Sequence, residues 1–257
     1  MSKIHHHFSK IGHTFKNITL TTPVAILLGA VIISGGLMGY GLIMQGGSSG
    51  TPGAIANPLP KMLKALGVNK NDFAKCVDTG AMASAVGAST QDGIQAGVTG
   101  TPTTFIIKEE NGIQYVVATV SGAQTHEFFK QAIDQALTST TISKLPRFAG
   151  KPIDPSELEG GVKPSKVYIV EYSDLECPFC ISVYGTLKQI RTEYAANVSF
   201  AYRNFPLTQI HSHAQKEAEM ISCVLKLEGS KAYHAFLDGI FDFKIKNNIG
   251  YIPVDSK

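Results

Sequence analysis

The chain has 257 residues and a mass of 27.5 kDa, of which 44% are hydrophobic and 17% charged. That composition excludes a long disordered or polyelectrolyte chain and suits one or two domains. The net charge of +3 gives no argument for a nucleic-acid partner, four cysteines are too few for a disulfide-dense miniprotein, and with no tryptophan any stacking falls to phenylalanine and tyrosine.

Between positions 17 and 60 there is no charged residue. Within that stretch residues 23–44 read PVAILLGAVIISGGLMGYGLIM, about the 20 apolar residues that cross a bilayer. Lys3, Lys10 and Lys16 precede the run and Lys61 is the first charge beyond it. The positive-inside rule then puts the tail (residues 1–22) in the cytoplasm and the rest of the chain outside the cell membrane, as a single-pass protein. A cleaved signal peptide is the competing reading. Against it, the run exceeds a usual signal-peptide apolar region and no clear A-x-A site follows. His5, His6, His7 and His13 read as a solvated tail rather than metal ligands. Residues 45–57, rich in Gly, Ser and Pro, read as a flexible tether. About 200 residues remain beyond it, enough for one sizeable core.

Residues 59–98 are helical in pattern, with Asn69 or Asn71 as caps before Phe73 and Val77 and a stop at Gly80. Strands are expected at 103–107 and 115–120, separated by the turn-forming Glu110, Asn111 and Gly112. Residues 127–137 form an amphipathic helix with Phe128, Ile133 and Leu137 on its apolar side. The proline- and glycine-bearing stretch 139–165 reads as a linker, long for a compact domain. The second half opens with an apolar strand at 167–172, followed by a helix to about Tyr194 and a strand at 198–203. Two more helices span 211–227 and 231–243. Strand, helix, strand on this scale is a βαβ unit, so the fold class is α/β with a partly parallel sheet.

Cys177, Pro178, Phe179 and Cys180 form a CxxC just after a strand and at the start of a helix. A helix N-terminus presents unpaired N–H groups and a positive dipole, both of which favour a thiolate. A thiolate formed at lower pH is also a better leaving group. Cys177 is therefore expected to be the exposed nucleophile and Cys180, one turn in, the buried resolving thiol. The alternatives are half of a zinc site or an inert disulfide. Zinc commonly uses two CxxC pairs, and here Cys76 and Cys223 are single and lie in helices, so no metal is expected.

The segments YIVEYSDLECPFC and YRNFPLTQIHSHAQKEAE, with GVTGTPTTFII and VSGAQTHEFFKQAIDQAL, resemble the DsbA-like thiol:disulfide oxidoreductases. Together they cover most of residues 58–245. The resemblance implies a thioredoxin-like fold with a helical insertion. The order departs from the family: the Thr-Pro half (58–138) precedes the CxxC half (166–257), as in a circular permutant cut inside the helical insertion, its old ends joined by 139–165. Two half-domains completing each other between chains, or a rearranged reading frame, are the alternatives.

The same resemblance assigns roles. Thr101 and Pro102 match the cis-proline loop that lies against the CxxC, where exposed backbone takes an extended substrate; an ordinary trans proline at a strand start is the bland reading. Glu171 matches the buried acid beneath the site, whose raised pKa suits it to relay the proton of Cys180; as bare sequence it could face solvent. Asp174 and Glu176 are expected to be surface charges, with Glu176 opposing the thiolate. Phe179 replaces the His of the family's strongest oxidants, which implies a less oxidising pair. Cys76 and Cys223 resemble cysteines that some members join as a structural disulfide, which here would tie the two halves together; two separate buried thiols are the alternative. His126, His211, His213 and His234 show no metal-ligand spacing and read as cap or surface residues.

The resulting expectation is a membrane-tethered thiol:disulfide oxidoreductase that donates disulfides to reduced or misoxidised proteins. It would use no cofactor and would need a membrane reoxidant of the DsbB or VKOR type. A reductase or isomerase on the same fold is the enzymatic alternative, and a tethered peptide-binding module the non-enzymatic one.

Overall fold

A computed structural model describes residues 55–159 and 166–253. The expected tail, the anchor and all but the end of the tether lie outside the described residues. Among the described residues no helix is long and apolar enough to cross a membrane.

The helical first stretch resolves into α1 (Leu59–Ala65), α2 (Lys70–Asp78) and α3 (Ala83–Ala96). Of the two expected caps, Asn69 holds the start of α2, its side chain accepting from the N–H groups of Asn71 and Asp72. Strands β1 (Thr103–Glu110) and β2 (Ile113–Ser121) form a hairpin that turns at Asn111 and Gly112. Both run longer than expected, because Lys108, Glu109 and Glu110 continue the ladder although their side chains carry no apolar signal. Helix α4 (His126–Thr138) is capped by Thr125. Its inward face is Phe129, Ala132, Ile133 and Ala136, an i, i+3, i+4, i+7 series. Phe128, expected to point inward, is 46% exposed: two adjacent phenylalanines cannot share one helix face, and small alanines complete the series through Phe129.

Strand β3 (Val167–Ser173), helix α5 (Pro178–Glu193) and strand β4 (Val198–Asn204) form the βαβ unit, β3 and β4 pairing in parallel. The long element α6 (Ala214–Asn247) breaks at Gly229, whose φ of 78° and ψ of −176° are not helical, so it is two helices end to end, as the sequence suggests. The sheet order is β2-β1-β3-β4, with β1 antiparallel to both β2 and β3. The two halves of the chain therefore meet in the middle of one sheet, along the β1–β3 ladder.

Side chains alternate across that sheet. Ile106, Val167, Ile169, Phe200 and Tyr202 face the larger core, with α1, α2, α4, α5 and α6. Phe105, Ile107, Tyr168, Val170, Tyr172 and Ala201 face a smaller one. Helix α3 covers part of this second face, and Gly93 lets it approach: a Cβ there would stand 2.5 Å from the Phe205 ring. The stretch expected to be a loose linker covers the rest. Phe148 donates its N–H to Gln114 beyond the turn into β2, Ile153 and Leu158 are buried, and Glu159 bridges to Phe200 on β4. Residues 139–159 thus form a strap from one sheet edge to the other, anchored by scattered apolar side chains too sparse to give a period. Its fixed point is Arg203, buried on β4, which binds Glu157 and Asp92 and donates to the Tyr172 hydroxyl and the Lys151 carbonyl.

Candidate active site

The C-terminal end of β3 delivers Asp174, Leu175 and Glu176 to a turn, and Pro178 starts α5 at its first position, where its missing N–H costs nothing. Cys177 is the N-cap and Cys180 lies one turn in. Both sulfurs are unbridged. Cys180 is fully buried, and Cys177, expected to be exposed, is only 4% exposed. The reason is the loop opposite: the Cys177 thiol donates to the Thr101 carbonyl oxygen at 3.6 Å. The Thr101–Pro102 peptide bond is cis. Pro178 and Phe179 form the open lip of the site, with Phe179 64% exposed.

The two thiols are pushed in opposite directions. Cys177 is lowered to about 5 by a hydrogen bond from the Cys180 thiol, by Thr101, and by the N–H groups of Cys180 and Phe179 at the helix start, against the opposing effect of burial. Cys180 is raised well above its ordinary value by burial and by the negative charge of Cys177 and Glu171. Glu171 lies beneath the pair with no exposed surface, and neither carboxyl oxygen has a hydrogen-bond partner. Burial pushes it up to about 7; the nearby Ser173 hydroxyl and the Arg191 charge pull the other way, and the Cys177 charge adds to the rise. Its register partner Tyr202, on β4, carries a second buried polar atom without a partner.

Asp174 and Glu176 are not the free surface charges expected. Asp174 is 1% exposed, and its carboxylate accepts from Glu176 N–H, Leu207 N–H and His211 Nδ1. Glu176 turns away from the thiolate to His213, accepting from its N–H at 2.7 Å and lying 3.0 Å from Nδ1; that ring also stacks on Tyr251. A signal was present for Asp174: an Asp whose side chain takes the N–H two residues on is an Asx turn, a common prelude to a helix. No local signal marks His211 as the neighbour of Asp174 or His213 as that of Glu176, because the loop after β4 brings both there. Equally silent is the buried pair of α6, where Lys244 Nζ meets Glu217 Oε2 at 2.5 Å. Lys244 also donates to the carbonyls of Leu175 and Gly250, so one ammonium ties the turn before the CxxC to the last described residues.

Of the other histidines, His126 pairs with Glu193 on the surface, whereas His234, expected as a cap or surface residue, is 2% exposed and hydrogen-bonded to the Glu157 carbonyl. The remaining cysteines stand apart from the CxxC: Cys76 of α2 and Cys223 of α6 are joined, with an S–S distance of 2.05 Å. Among the described residues, no group of three or more His, Cys, Asp or Glu side chains could hold a metal ion.

Comparison with known proteins divides the chain in the same two parts. Residues 49–134 match the family model described as a DSBA-like thioredoxin domain, and residues 155–249 match the one described as thioredoxin. Among curated proteins, the chain is similar to the Na(+)/H(+) antiporter NhaA 1 of Salinispora arenicola, 35% identical over 69 residues, which is 26% of this chain and 10% of that protein. It is likewise similar to NhaA 1 of Mycolicibacterium gilvum, 35% identical over 65 residues, 25% of this chain and 10% of that protein. The chain thus spans about a tenth of the length of these relatives. No solved structure matches. With a DSBA-like domain in one half, a thioredoxin domain in the other, and one sheet carrying both, the chain belongs to the DsbA-like thioredoxin-fold family.

Proposed function

We propose that this protein is a membrane-anchored, extracytoplasmic thiol:disulfide oxidoreductase that donates disulfides to secreted or surface proteins. One observation carries the reading: Cys177 is held at a helix N-terminus with its thiol lowered to about 5 while Cys180 is raised. A stabilised Cys177 thiolate favours the reduced pair, and a pair that prefers to be reduced oxidises its substrates. A substrate thiolate attacks Cys177 of the Cys177–Cys180 disulfide, and Cys180 leaves as a thiolate that takes a proton from Glu171. A second substrate thiolate then attacks its own sulfur in the mixed disulfide and releases Cys177. Thr101 and Pro102 hold the extended substrate beside the sulfur, and Pro178 and Phe179 form its entrance.

The order of the halves supports a circular permutation cut within the helical insertion. The apolar run at residues 23–44 supports a single-pass anchor with a cytoplasmic N-terminus, and a DsbB- or VKOR-type membrane partner would reoxidise the pair. No transport activity is proposed, since the likeness to antiporters covers a tenth of their length. The uncharged Phe179 beside the nucleophile favours a second reading, a reductase or isomerase. Equilibrating the full-length protein across glutathione buffers and following the CxxC by mass spectrometry of alkylated protein separates a donor or isomerase from a reductase. A potential of about −120 to −180 mV fits a donor or isomerase, and one near −270 mV a reductase. Cys177→Ser is expected to abolish turnover; a peptide-binding module would keep its peptides.

A further inference from the structure

The mechanism above leaves Asp174 and His211 without a part, yet the backbone of Asp174 is hydrogen-bonded to both cysteines. The Asp174 carbonyl accepts the N–H of Cys177 at 3.1 Å, and the Asp174 N–H points at the Cys180 sulfur, 3.5 Å away. The carboxylate of the same residue is fully buried and holds three partners: Glu176 N–H at 2.8 Å on Oδ1, and Leu207 N–H at 2.8 Å and His211 Nδ1 at 2.7 Å on Oδ2. Two of these come from the loop after β4. A side chain pinned from two loops leaves its own peptide group little freedom, so the direction of the Asp174 N–H is fixed from outside the CxxC turn.

We infer that Asp174 and His211 are positioning residues for the resolving cysteine: the latch between them holds the Asp174 N–H on Cys180 whenever that sulfur carries charge. The inference rests on the oxidoreductase reading and adds a division of labour. Cys177 has the N–H groups of the helix N-terminus, whereas Cys180, fully buried, has this one backbone donor among the hydrogen bonds of the described residues.

The reaction of the reduced protein with glutathione disulfide separates the two sulfurs. In the first step the Cys177 thiolate attacks one glutathione sulfur, a mixed disulfide forms and one glutathione thiolate leaves. In the second, the Cys180 proton passes to Glu171, and the Cys180 thiolate attacks the Cys177 sulfur. The Cys177–Cys180 bond forms and the second glutathione leaves as thiolate. Two electrons pass from the pair to glutathione disulfide.

Rapid mixing of the full-length protein with glutathione disulfide, acid quench and mass spectrometry count the species carrying one glutathione. With Asp174→Asn or His211→Ala, the second step is expected to slow about 10- to 100-fold, the effect of misdirecting one hydrogen bond to a charged sulfur, so the mixed disulfide accumulates. The first step should stay within about threefold of the parent. His211→Asn, which keeps a donor near the Nδ1 position, should restore the second step. Equal slowing of both steps, or a second step unchanged in folded His211→Ala, would overturn the positioning role. A parent protein whose CxxC glutathione disulfide leaves reduced would instead overturn the oxidoreductase reading, and this inference with it.

Discussion

Cys177 and Cys180 share one turn of helix, and their thiols diverge because only the first stands at the helix N-terminus while the second is sealed into the core. Thiolate absorbance of the reduced full-length protein should accordingly rise with a midpoint near pH 5, and Cys177→Ser should remove that transition. A midpoint above about 7, the value of thioredoxin-like thiols, would contradict the helix-start account. Glu171 titrates in the opposite sense. Its folded pKa of about 7 lies above the ordinary 4.5, so its neutral form is favoured, with no cost below pH 4.5 and a cost that grows as pH rises through 7. That gap corresponds to roughly 3 kcal/mol. Glu171→Gln should therefore gain about 1–3 kcal/mol over the parent in denaturant unfolding near pH 8 and little or nothing near pH 4. Equal gains at both pH values would mean that packing, not ionisation, separates the two side chains. Glu171 was legible through likeness to a family, since as bare sequence a strand carboxylate could equally face solvent. Asp174 was not recognised, since its burial depends on Leu207 and His211, which arrive from 33 and 37 positions away.

Elements were legible where a period or a breaker marks them. The βαβ unit, the hairpin and the division of α6 all follow from such marks, the last from Gly229. A Cβ at Gly229 meets nothing within 4 Å, so the cost of Gly229→Ala is purely that of its backbone, about 1–3 kcal/mol. Gly87, exposed inside α3 and equally uncrowded, is the control: Gly87→Ala should stabilise by about 0.5–1 kcal/mol. Thermal unfolding of the two variants should move in opposite directions, and a shared direction would sink the argument. The strap at 139–159 was illegible as structure, because its anchors Ile142, Phe148, Ile153 and Leu158 follow neither a helical nor a strand period.

At the scale of the whole molecule, the two halves are held by the β1–β3 ladder in the sheet and by Cys76–Cys223 among the helices. The bridge spans 147 positions. Closing so long a loop restricts the unfolded chain by about 5 kcal/mol on the chain-entropy model, and measured losses on removing native disulfides are about 2–5 kcal/mol. Cys76→Ala with Cys223→Ala should lower stability by an amount in that range while leaving the Cys177 titration in place, since neither residue is among the groups that shift the two thiols. Loss of the titration as well would mean that the helices around the bridge hold the site in shape. The CxxC could be read from the sequence directly, and the order of the halves by likeness to a family. The pairing of Cys76 with Cys223 could be read only by likeness to a family, since nothing in their spacing brings them within reach.

The same bridge changes what cleavage does to the chain. Any single cut between residues 76 and 223 leaves two pieces that remain one covalent particle while the sulfurs stay joined. On a gel such a nicked protein runs as one band without reductant and as two with it. Damage to the strap would thus loosen the fold without releasing the CxxC half from the half that carries Cys76.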